Sequence, residues 1–265
     1  MSATYELTVA PNGARKTKAD HPALPMTTEE LAICARDCQI AGAGAIHLHV
    51  RDRQGAHSLD VGRYRDAISA IQDLAPGMGV QITTESAGLF DVDAQYECVR
   101  ALRPASASIS VREMARDEDV AARVYALAHE ANTRVQHILY DASCLARFRD
   151  WRARGIIRAT QDDVLFVLGQ YVPPVPARPT DLDLFLSGLS EETVNWTVCA
   201  FGPAEQASLL WAIHRGGNAR VGFENNMVSA TGNVHSNNSA AVQSLVTAAN
   251  SLGYMPAHLA RPIAA

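Results

Sequence analysis

Eight short apolar runs alternate with amphipathic helical patterns along the chain, and this alternation constrains the fold more than any other feature. The runs are partly β-branched and are bounded by turn residues, which is typical of buried strands. They occupy residues 5–10, 45–50, 79–84, 106–110, 134–140, 163–169, 193–200 and 219–224. Eight strands alternating with helices in 265 residues predict an α/β fold, a (β/α)8 TIM barrel, as a single domain over residues 1–265.

The segments between the runs predict the helices. These lie near residues 27–43, 60–74, 91–102, 117–132, 180–188, 203–216 and 236–252. Thr27 and Glu30 have the spacing of a capping box at the start of the first one. A doubly wound open sheet is the alternative fold, but no G-x-G-x-x-G follows the first strand. Because barrel enzymes place their catalytic groups at the C-terminal ends of the strands, the polar residues that close each run are the candidates for function.

Charge and cysteine content narrow the possible partners. The chain has 23 basic and 28 acidic side chains, a net charge of −5, and no basic cluster, which argues against nucleic acid or an anionic membrane. The first twenty residues lack the apolar core of a signal peptide, and no apolar run approaches the roughly 20 residues of a spanning helix. Five irregularly spaced cysteines do not suggest a disulfide framework. We therefore expect a cytoplasmic protein without nucleic-acid or membrane partners.

The stretch GAIHLHVRD, residues 44–52, suggests a metal site. Side chains alternate along a strand, so His47 and His49 face the same way and can converge on one ion. Glu224 closes the eighth run, and barrel closure brings the eighth strand beside the first, near the second. Two histidines and a carboxylate form a recurrent catalytic zinc set. A lone H-x-H is more often structural, but with Glu224 it favours Zn²⁺ or another divalent cation.

Four segments resemble the β-keto acid cleavage enzyme family, which includes the 3-keto-5-aminohexanoate cleavage enzymes. They are, in order, APNGARKTKADHPALPMTTEEL, GAGAIHLHVRD, VLFVLG and ARVGFENN. The resemblance implies a TIM barrel, a zinc ion and usually a homotetramer. It also implies a Claisen-type exchange in which a β-keto acid and acetyl-CoA give acetoacetate and a new acyl-CoA. Carried over residue by residue, it implies metal ligands at His47, His49 and Glu224 and an active-site arginine at Arg220.

Other candidates lie where the predicted strands end. Arg220 precedes Glu224 by four residues, so we expect both on one side of the strand, where the guanidinium can bind a carboxylate. Ser110 is a candidate to hydrogen-bond an oxyanion, and the backbone at Gly202 is a candidate to bind a cofactor phosphate of CoA. Lys16 and Lys18 are interpreted as solvated. The candidates for substrate binding are Asn12, Gly13, Thr83, Thr84, Ser86 and Asn225.

The chain departs from the family pattern at several acids. Family members commonly have an acid after the ligand glutamate, but here that residue is Asn225, whose amide cannot accept a proton at neutral pH. Gln136 and Ile138 stand in the fifth strand, where the family often has glutamates. The hypothesis is that Glu85, or a zinc-bound hydroxide, removes the proton here. The missing carboxylates also suggest a substrate side chain without a cationic amine.

Two alternative functions are left open by the residues. The first is a metal-dependent hydrolase on the same barrel, although such enzymes usually carry H-x-H on the first strand and an aspartate on the last. The second is a non-catalytic barrel that binds a metal and a keto acid, for which Asn225 is the best support. Dependence of turnover on acetyl-CoA separates the cleavage enzyme from both alternatives.

Overall fold

A computed structural model describes residues 3–170, 172–189 and 193–260. Eight parallel strands close into a barrel in sequential order, each hydrogen-bonded to the next and the last to the first. The strands are β1 (Leu7–Val9), β2 (Ala45–Leu48), β3 (Gly79–Thr83), β4 (Ser106–Ser110), β5 (Arg134–Leu139), β6 (Asp163–Leu168), β7 (Asn195–Ala200) and β8 (Asn218–Val221). The predicted TIM barrel is therefore confirmed, and the open sheet is excluded. Both ends of the expected domain, 1–265, lie outside the described residues.

Eight helices of at least eight residues cover the outside of the described barrel. They are α1 (Thr28–Ala41), α2 (Val61–Leu74), α3 (Val92–Leu102), α4 (Glu118–Glu130), α5 (Ala142–Ala153), α6 (Leu182–Leu189), α7 (Glu205–His214) and α8 (Asn238–Ser251). The predicted capping box of α1 is present, since Thr27 accepts from the Glu30 N–H and Glu30 accepts from the Thr27 N–H. Helix α5 was absent from the prediction. Its arginines interrupt the apolar pattern, although Phe148 and Trp151 are fully buried.

Several predicted strands are longer than the observed ones. Residues of the first run divide between β1 and a short outer strand, Ala3–Tyr5, which pairs with Tyr254–Pro256 instead of joining the barrel. The second run divides in the same way, because Val50–Arg51 leaves β2 and pairs with His57–Ser58. Strand β8 ends at Val221, three residues before the predicted end. The barrel strands are therefore shorter than the apolar runs, which continue into the loops that carry the site.

The main core lies between the strands and the helices. Among its fully buried side chains are Tyr64, Tyr125, Phe148, Trp151 and Phe166. His137 belongs to this layer: its ring contacts those of Tyr125 and Phe148, and its Nε2 is 3.1 Å from the Gln161 carbonyl oxygen. Within the described residues, no helix combines the length and the apolar character that a membrane crossing requires.

Candidate metal centre and catalytic cavity

Three side chains that are distant in sequence meet at the C-terminal mouth of the barrel. His47 lies in β2, His49 follows the last residue of β2, and Glu224 lies three residues beyond β8. Strand β1 pairs with both β2 and β8, which brings these ends together. The Nε2 atoms of His47 and His49 are 3.1 Å apart. Glu224 Oε2 is 3.6 Å from Nε2 of His47 and 3.5 Å from Nε2 of His49. The structure thus brings together all three residues of the candidate metal set.

Glu224 reaches this position from a turn and not from a strand, which corrects the sequence expectation. Gly222 has a φ of +144°, a conformation that side-chain-bearing residues rarely adopt, and its Cβ would lie 2.4 Å from the Ala10 carbonyl oxygen. The chain turns at Gly222, so the side chains of Arg220 on β8 and Glu224 in the turn still converge, as the sequence predicts. Arg220 Nη2 is 3.2 Å from Glu224 Oε1.

The three side chains fit a divalent cation. A tetrahedral ion with ligand bonds of about 2.0–2.1 Å separates its ligand atoms by about 3.3–3.4 Å, close to the observed separations of 3.1–3.6 Å. Burial lowers the pKa of His47 to about 3, so its imidazole is neutral at physiological pH and can offer a lone pair. Glu224 Oε2 is buried and has no hydrogen-bond partner among the described residues. A cation would satisfy that oxygen.

Electrostatics keep Glu224 ionised. Burial alone would raise the pKa of its carboxyl, but the surrounding groups, chiefly the guanidinium of Arg220, hold the pKa well below its usual range. Two neutral imidazoles and one carboxylate contribute a single negative charge, so a bound divalent ion would keep a net positive charge. Such a centre favours a substrate in which negative charge develops.

The loop after β1 fixes the position of Glu224. Lys16, interpreted from the sequence as solvated, is instead partly buried and donates from Nζ to the carbonyl oxygens of Phe223, at 2.6 Å, and Glu224, at 3.1 Å. The buried Arg51 donates to the carbonyl oxygens of Gly13 and Lys16. A Cβ on Gly13 would lie 2.7 Å from Glu224 Cγ, so the residue must be glycine for the loop to approach this closely. Lys18, in contrast, is half exposed and pairs with Glu30.

Two members of the candidate metal set, His47 and Glu224, line a cavity of about 320 Å³. Glu85 and Arg220 line the same cavity. The side chains of Ile138, Val167 and Phe201 give the cavity an apolar part. Arg112 and Tyr140 also line it, and the guanidinium carbon of Arg112 lies 3.9 Å from the centroid of the Tyr140 ring.

Arg220 retains hydrogen-bonding capacity. Its Nη2 contacts Cys199 Sγ at 3.3 Å and Glu224 Oε1 at 3.2 Å, whereas its Nε and Nη1 are buried and have no hydrogen-bond partner among the described residues. Leaving buried N–H groups of a charged side chain unpaired is costly. A carboxylate in the cavity would remove this cost, in keeping with the role predicted for Arg220.

Glu85 lies beside the candidate metal set. Its Oε2 is 3.8 Å from His49 Nε2, and 27% of its side chain is exposed to the cavity side. Burial raises the pKa of its carboxyl, and the negative charge of Glu224 contributes to this increase, although His49 opposes it. A carboxylate with a raised pKa is a better proton acceptor than an ordinary one. The position suits the proton removal predicted for Glu85.

The hydroxyl candidates fall into two groups. Thr83 lines the large cavity and accepts the Glu85 N–H at 3.0 Å. Three others are used in local structure: Thr84 donates to the Ser108 carbonyl oxygen, Ser86 donates to that of Phe90, and Ser110 accepts the N–H of Glu113 as a helix cap. Those three do not line the cavity found among the described residues. Successive side chains of a strand point to opposite faces, and the chain turns after each strand, so these hydroxyls do not face the cavity as that of Thr83 does.

The remaining candidates surround the loops of the site. Asn12 is fully buried and donates to the carbonyl oxygens of Pro25 and His49, which holds the loop against β2. Asn225 is buried beside Glu224, and neither polar atom of its side chain has a hydrogen-bond partner in the described chain. Gly202 follows Phe201 at a φ of +86°, and its N–H points to the Asn225 carbonyl oxygen at 3.4 Å.

Three residues at the site were missed by the sequence reasoning. Gln81 on β3 approaches His47, with Oε1 2.8 Å from Nδ1. Tyr140 and Arg112 line the cavity together. The position of Gln81 at the centre of an apolar run was a usable signal, since a strand glutamine inside a barrel requires a polar partner. Arg112 follows β4 in a short helix, Val111–Met114, and its spacing gave no signal.

The chain resembles known proteins over nearly its whole length. Residues 6–262 match the sequence profile of a family described as beta-keto acid cleavage enzyme. The chain is 29% identical over 256 residues to a 3-keto-5-aminohexanoate cleavage enzyme of Fusobacterium nucleatum, covering 93% of this chain and 92% of the relative. It is 26% identical over 239 residues to a 3-oxoadipate:acetyl-CoA acetyltransferase of Cupriavidus necator, covering 83% and 80%.

The solved structures support the fold. A ternary complex of ObcA with a C4-CoA adduct and oxalate superposes with a TM-score of 0.63 at 17% identity. The superposition covers 90% of this chain and 66% of the ObcA chain, so the present chain spans just under two thirds of that protein's length.

Proposed function

The chain belongs to the beta-keto acid cleavage enzyme family, and from this membership we propose that it converts a β-keto acid and acetyl-CoA into acetoacetate and a new acyl-CoA. The observation that carries the proposal is the convergence of His47, His49 and Glu224 beside a cavity. His47 and Glu224 line that cavity together with Arg220 and Glu85. The relative from Cupriavidus necator is named for a reaction with acetyl-CoA, which supports acetyl-CoA as the second substrate.

His47, His49 and Glu224 would hold the cation, and we propose Zn²⁺ because imidazole and carboxylate ligands in a near-tetrahedral arrangement suit it. When bound, the ion supplies a Lewis acid that stabilises negative charge on a keto acid. The free N–H groups of Arg220 bind the carboxylate of the keto acid and orient it in the cavity.

Glu85 takes the proton from the carbon between the ketone and the carboxylate. The resulting carbanion attacks the thioester carbonyl of acetyl-CoA, a carbon–carbon bond forms, and CoA leaves as a thiolate. The thiolate then attacks the original ketone carbon, and the bond between that carbon and the former carbanion breaks. Protonated Glu85 returns its proton to the departing enolate, which gives acetoacetate. The side chain of the keto acid leaves as an acyl-CoA, so atoms and charge balance.

The apolar part of the cavity supports a restriction on the substrate. Ile138 and Val167 give the cavity an apolar part, and burying an unpaired ammonium group against them is costly; the carboxylates of Glu113 and Asp141 line other parts of the cavity. We therefore propose a keto acid whose side chain has no cationic amine. The family resemblance supports a homotetramer as part of the proposal, and the five irregularly spaced cysteines support a cytoplasmic location. Light scattering coupled to size-exclusion chromatography tests the subunit number.

The test is a panel of β-keto acids with and without acetyl-CoA, on protein of known zinc content. The proposal expects acetoacetate and the matching acyl-CoA in equal amounts, with 3-oxohexanoate favoured over 3-oxo-5-aminohexanoate. Glu85→Gln should lower kcat by about 10²–10⁴-fold, while the half-exposed Lys18, changed to Gln, serves as control and should leave it unchanged. Turnover without acetyl-CoA would indicate a hydrolase. Tight keto-acid binding without turnover would indicate a non-catalytic barrel.

A further inference from the structure

A chain of polar side chains crosses the interior of the barrel beneath His47. Gln81 Oε1 is 2.8 Å from His47 Nδ1, Gln81 Nε2 is 3.3 Å from Gln136 Oε1, and Gln136 Nε2 is 3.2 Å from Thr197 Oγ1. These side chains come from β3, β5 and β7, alternate strands of the barrel, which contribute side chains to the same interior layer. Below them a second cavity, of about 360 Å³, opens at the opposite end of the barrel and is lined by Gln81, Gln136 and Thr197.

The chain of hydrogen bonds has a direction. A glutamine amide accepts at its oxygen and donates at its nitrogen. With its nitrogen donating to Gln136, Gln81 presents only its oxygen to His47, so His47 Nδ1 must carry the hydrogen. The neutral imidazole then has its lone pair on Nε2, the atom that faces His49 and Glu224. If the amides were reversed, the hydrogen would lie on Nε2 and block that atom as a ligand.

The second imidazole lacks such support. His49 Nδ1 is buried and has no hydrogen-bond partner among the described residues. Gln81 is thus the side chain in the described chain that bonds the Nδ1 atom of a histidine in the candidate metal set. Partners of this kind orient ligand rings and fix their tautomers in metal proteins.

We propose that Gln81 is a positioning residue for the metal site: it holds the ring of His47 in the tautomer and orientation that bind the cation. Gln136 and Thr197 continue the hydrogen-bond chain and hold the side chain of Gln81 in place. The proposal rests on the metal site of the proposed function but not on the identity of the keto acid. It is tested without substrate.

Four variants distinguish the effect of losing the hydrogen-bond acceptor at position 81 from the effect of altered packing. Gln81→Met removes the acceptor at similar length, Gln81→Glu keeps an acceptor, and Thr197→Val removes the last member of the chain. Thr8→Val is the matched control, because Thr8 lines the same lower cavity but has no place in the hydrogen-bond chain. Circular dichroism establishes that each variant is folded.

Two measurements are made on each folded variant. The Zn²⁺ dissociation constant is obtained by competition with a chromogenic chelator, and the tautomer of His47 is read from long-range ¹H–¹⁵N spectra of metal-free protein at pH 8. We expect Gln81→Met to weaken Zn²⁺ binding by about 10–100-fold and to mix the tautomers of His47. Gln81→Glu should stay close to the parent, Thr197→Val should show a smaller loss than Gln81→Met, and Thr8→Val should show none.

Three results would overturn the proposal: unchanged Zn²⁺ affinity and tautomer in Gln81→Met, an equal loss in folded Gln81→Met and Gln81→Glu, or an equal loss in Thr8→Val. A parent protein that binds no Zn²⁺ would refute the metal part of the proposed function. In that event the spectra of the metal-free parent still test the role of Gln81. A hydrogen on Nε2 of His47 would contradict the proposed role.

Discussion

Replacing Gly13 by alanine tests whether the loop after β1 sets the position of Glu224. The added Cβ would lie 2.7 Å from Glu224 Cγ, whereas carbon atoms in contact are normally about 3.5–4.0 Å apart. The carboxylate must therefore move by about 1 Å, since Arg51 holds the backbone of the loop and Lys16 ties the loop to the turn that carries Glu224. Site geometry generally tolerates only about 0.5 Å, so we expect turnover and Zn²⁺ affinity to fall by about 10²-fold.

The same change also strains the backbone, and this effect is separable. Gly13 has a φ of +62°, and an alanine there costs about 1–2 kcal/mol, which lowers Tm by roughly 2–8 °C in a protein of this size. Gly216→Ala is the matched control: its φ is +86°, and no heavy atom outside its neighbours lies within 4 Å of the added Cβ. Gly216→Ala should lower Tm by a similar amount and leave Zn²⁺ affinity unchanged.

The measurements are thermal unfolding, zinc competition and kcat/KM on both variants. We expect similar losses of Tm in the two variants and very different Zn²⁺ affinities. Equal Zn²⁺ affinities in the two variants, with equal losses of Tm, would show that Glu224 adapts freely and that the loop does not set its position.

Three further predictions follow from the same structure. Lys16→Met leaves the carbonyl oxygens of Phe223 and Glu224 without their donor and should cost about 1–3 kcal/mol of unfolding free energy in urea, whereas Lys18→Met should cost little. Burial raises the pKa of Glu205 to about 8 from 4.5, so its stabilising contribution is full below pH 4.5 and is lost as pH rises through 8. This group should lower the unfolding free energy by a few kcal/mol across that interval, and Glu205→Gln should remove this contribution from the measured pH dependence. Ile138→Glu places a carboxylate in the apolar part of the cavity and should raise kcat/KM for 3-oxo-5-aminohexanoate relative to 3-oxohexanoate by about tenfold; an unchanged ratio would place the substrate side chain elsewhere.

Local patterns in the sequence were sufficient for the fold. Apolar runs and helical periodicity are short-range properties, and they predicted all eight barrel strands and seven of the eight long helices in the described chain. The missed helix, Ala142–Ala153, shows the limit, because its arginines hide an apolar face that only packing reveals. His47 and His49 were also recognisable locally, since alternation along one strand places them on one face.

Tertiary structure decided how the site is assembled. Glu224 reaches the histidines through a turn at Gly222. Lys16 donates to the carbonyl oxygens of that turn instead of extending into solvent. Gln81 contacts His47 from the neighbouring strand. None of these contacts joins residues within one helix or strand, so the hydrophobic periodicity of the sequence cannot predict them. The sequence by itself determined which elements form and which faces are apolar, because those depend on neighbours along the chain. Barrel closure determined which polar groups meet, because only a closed sheet brings the first and last strands together.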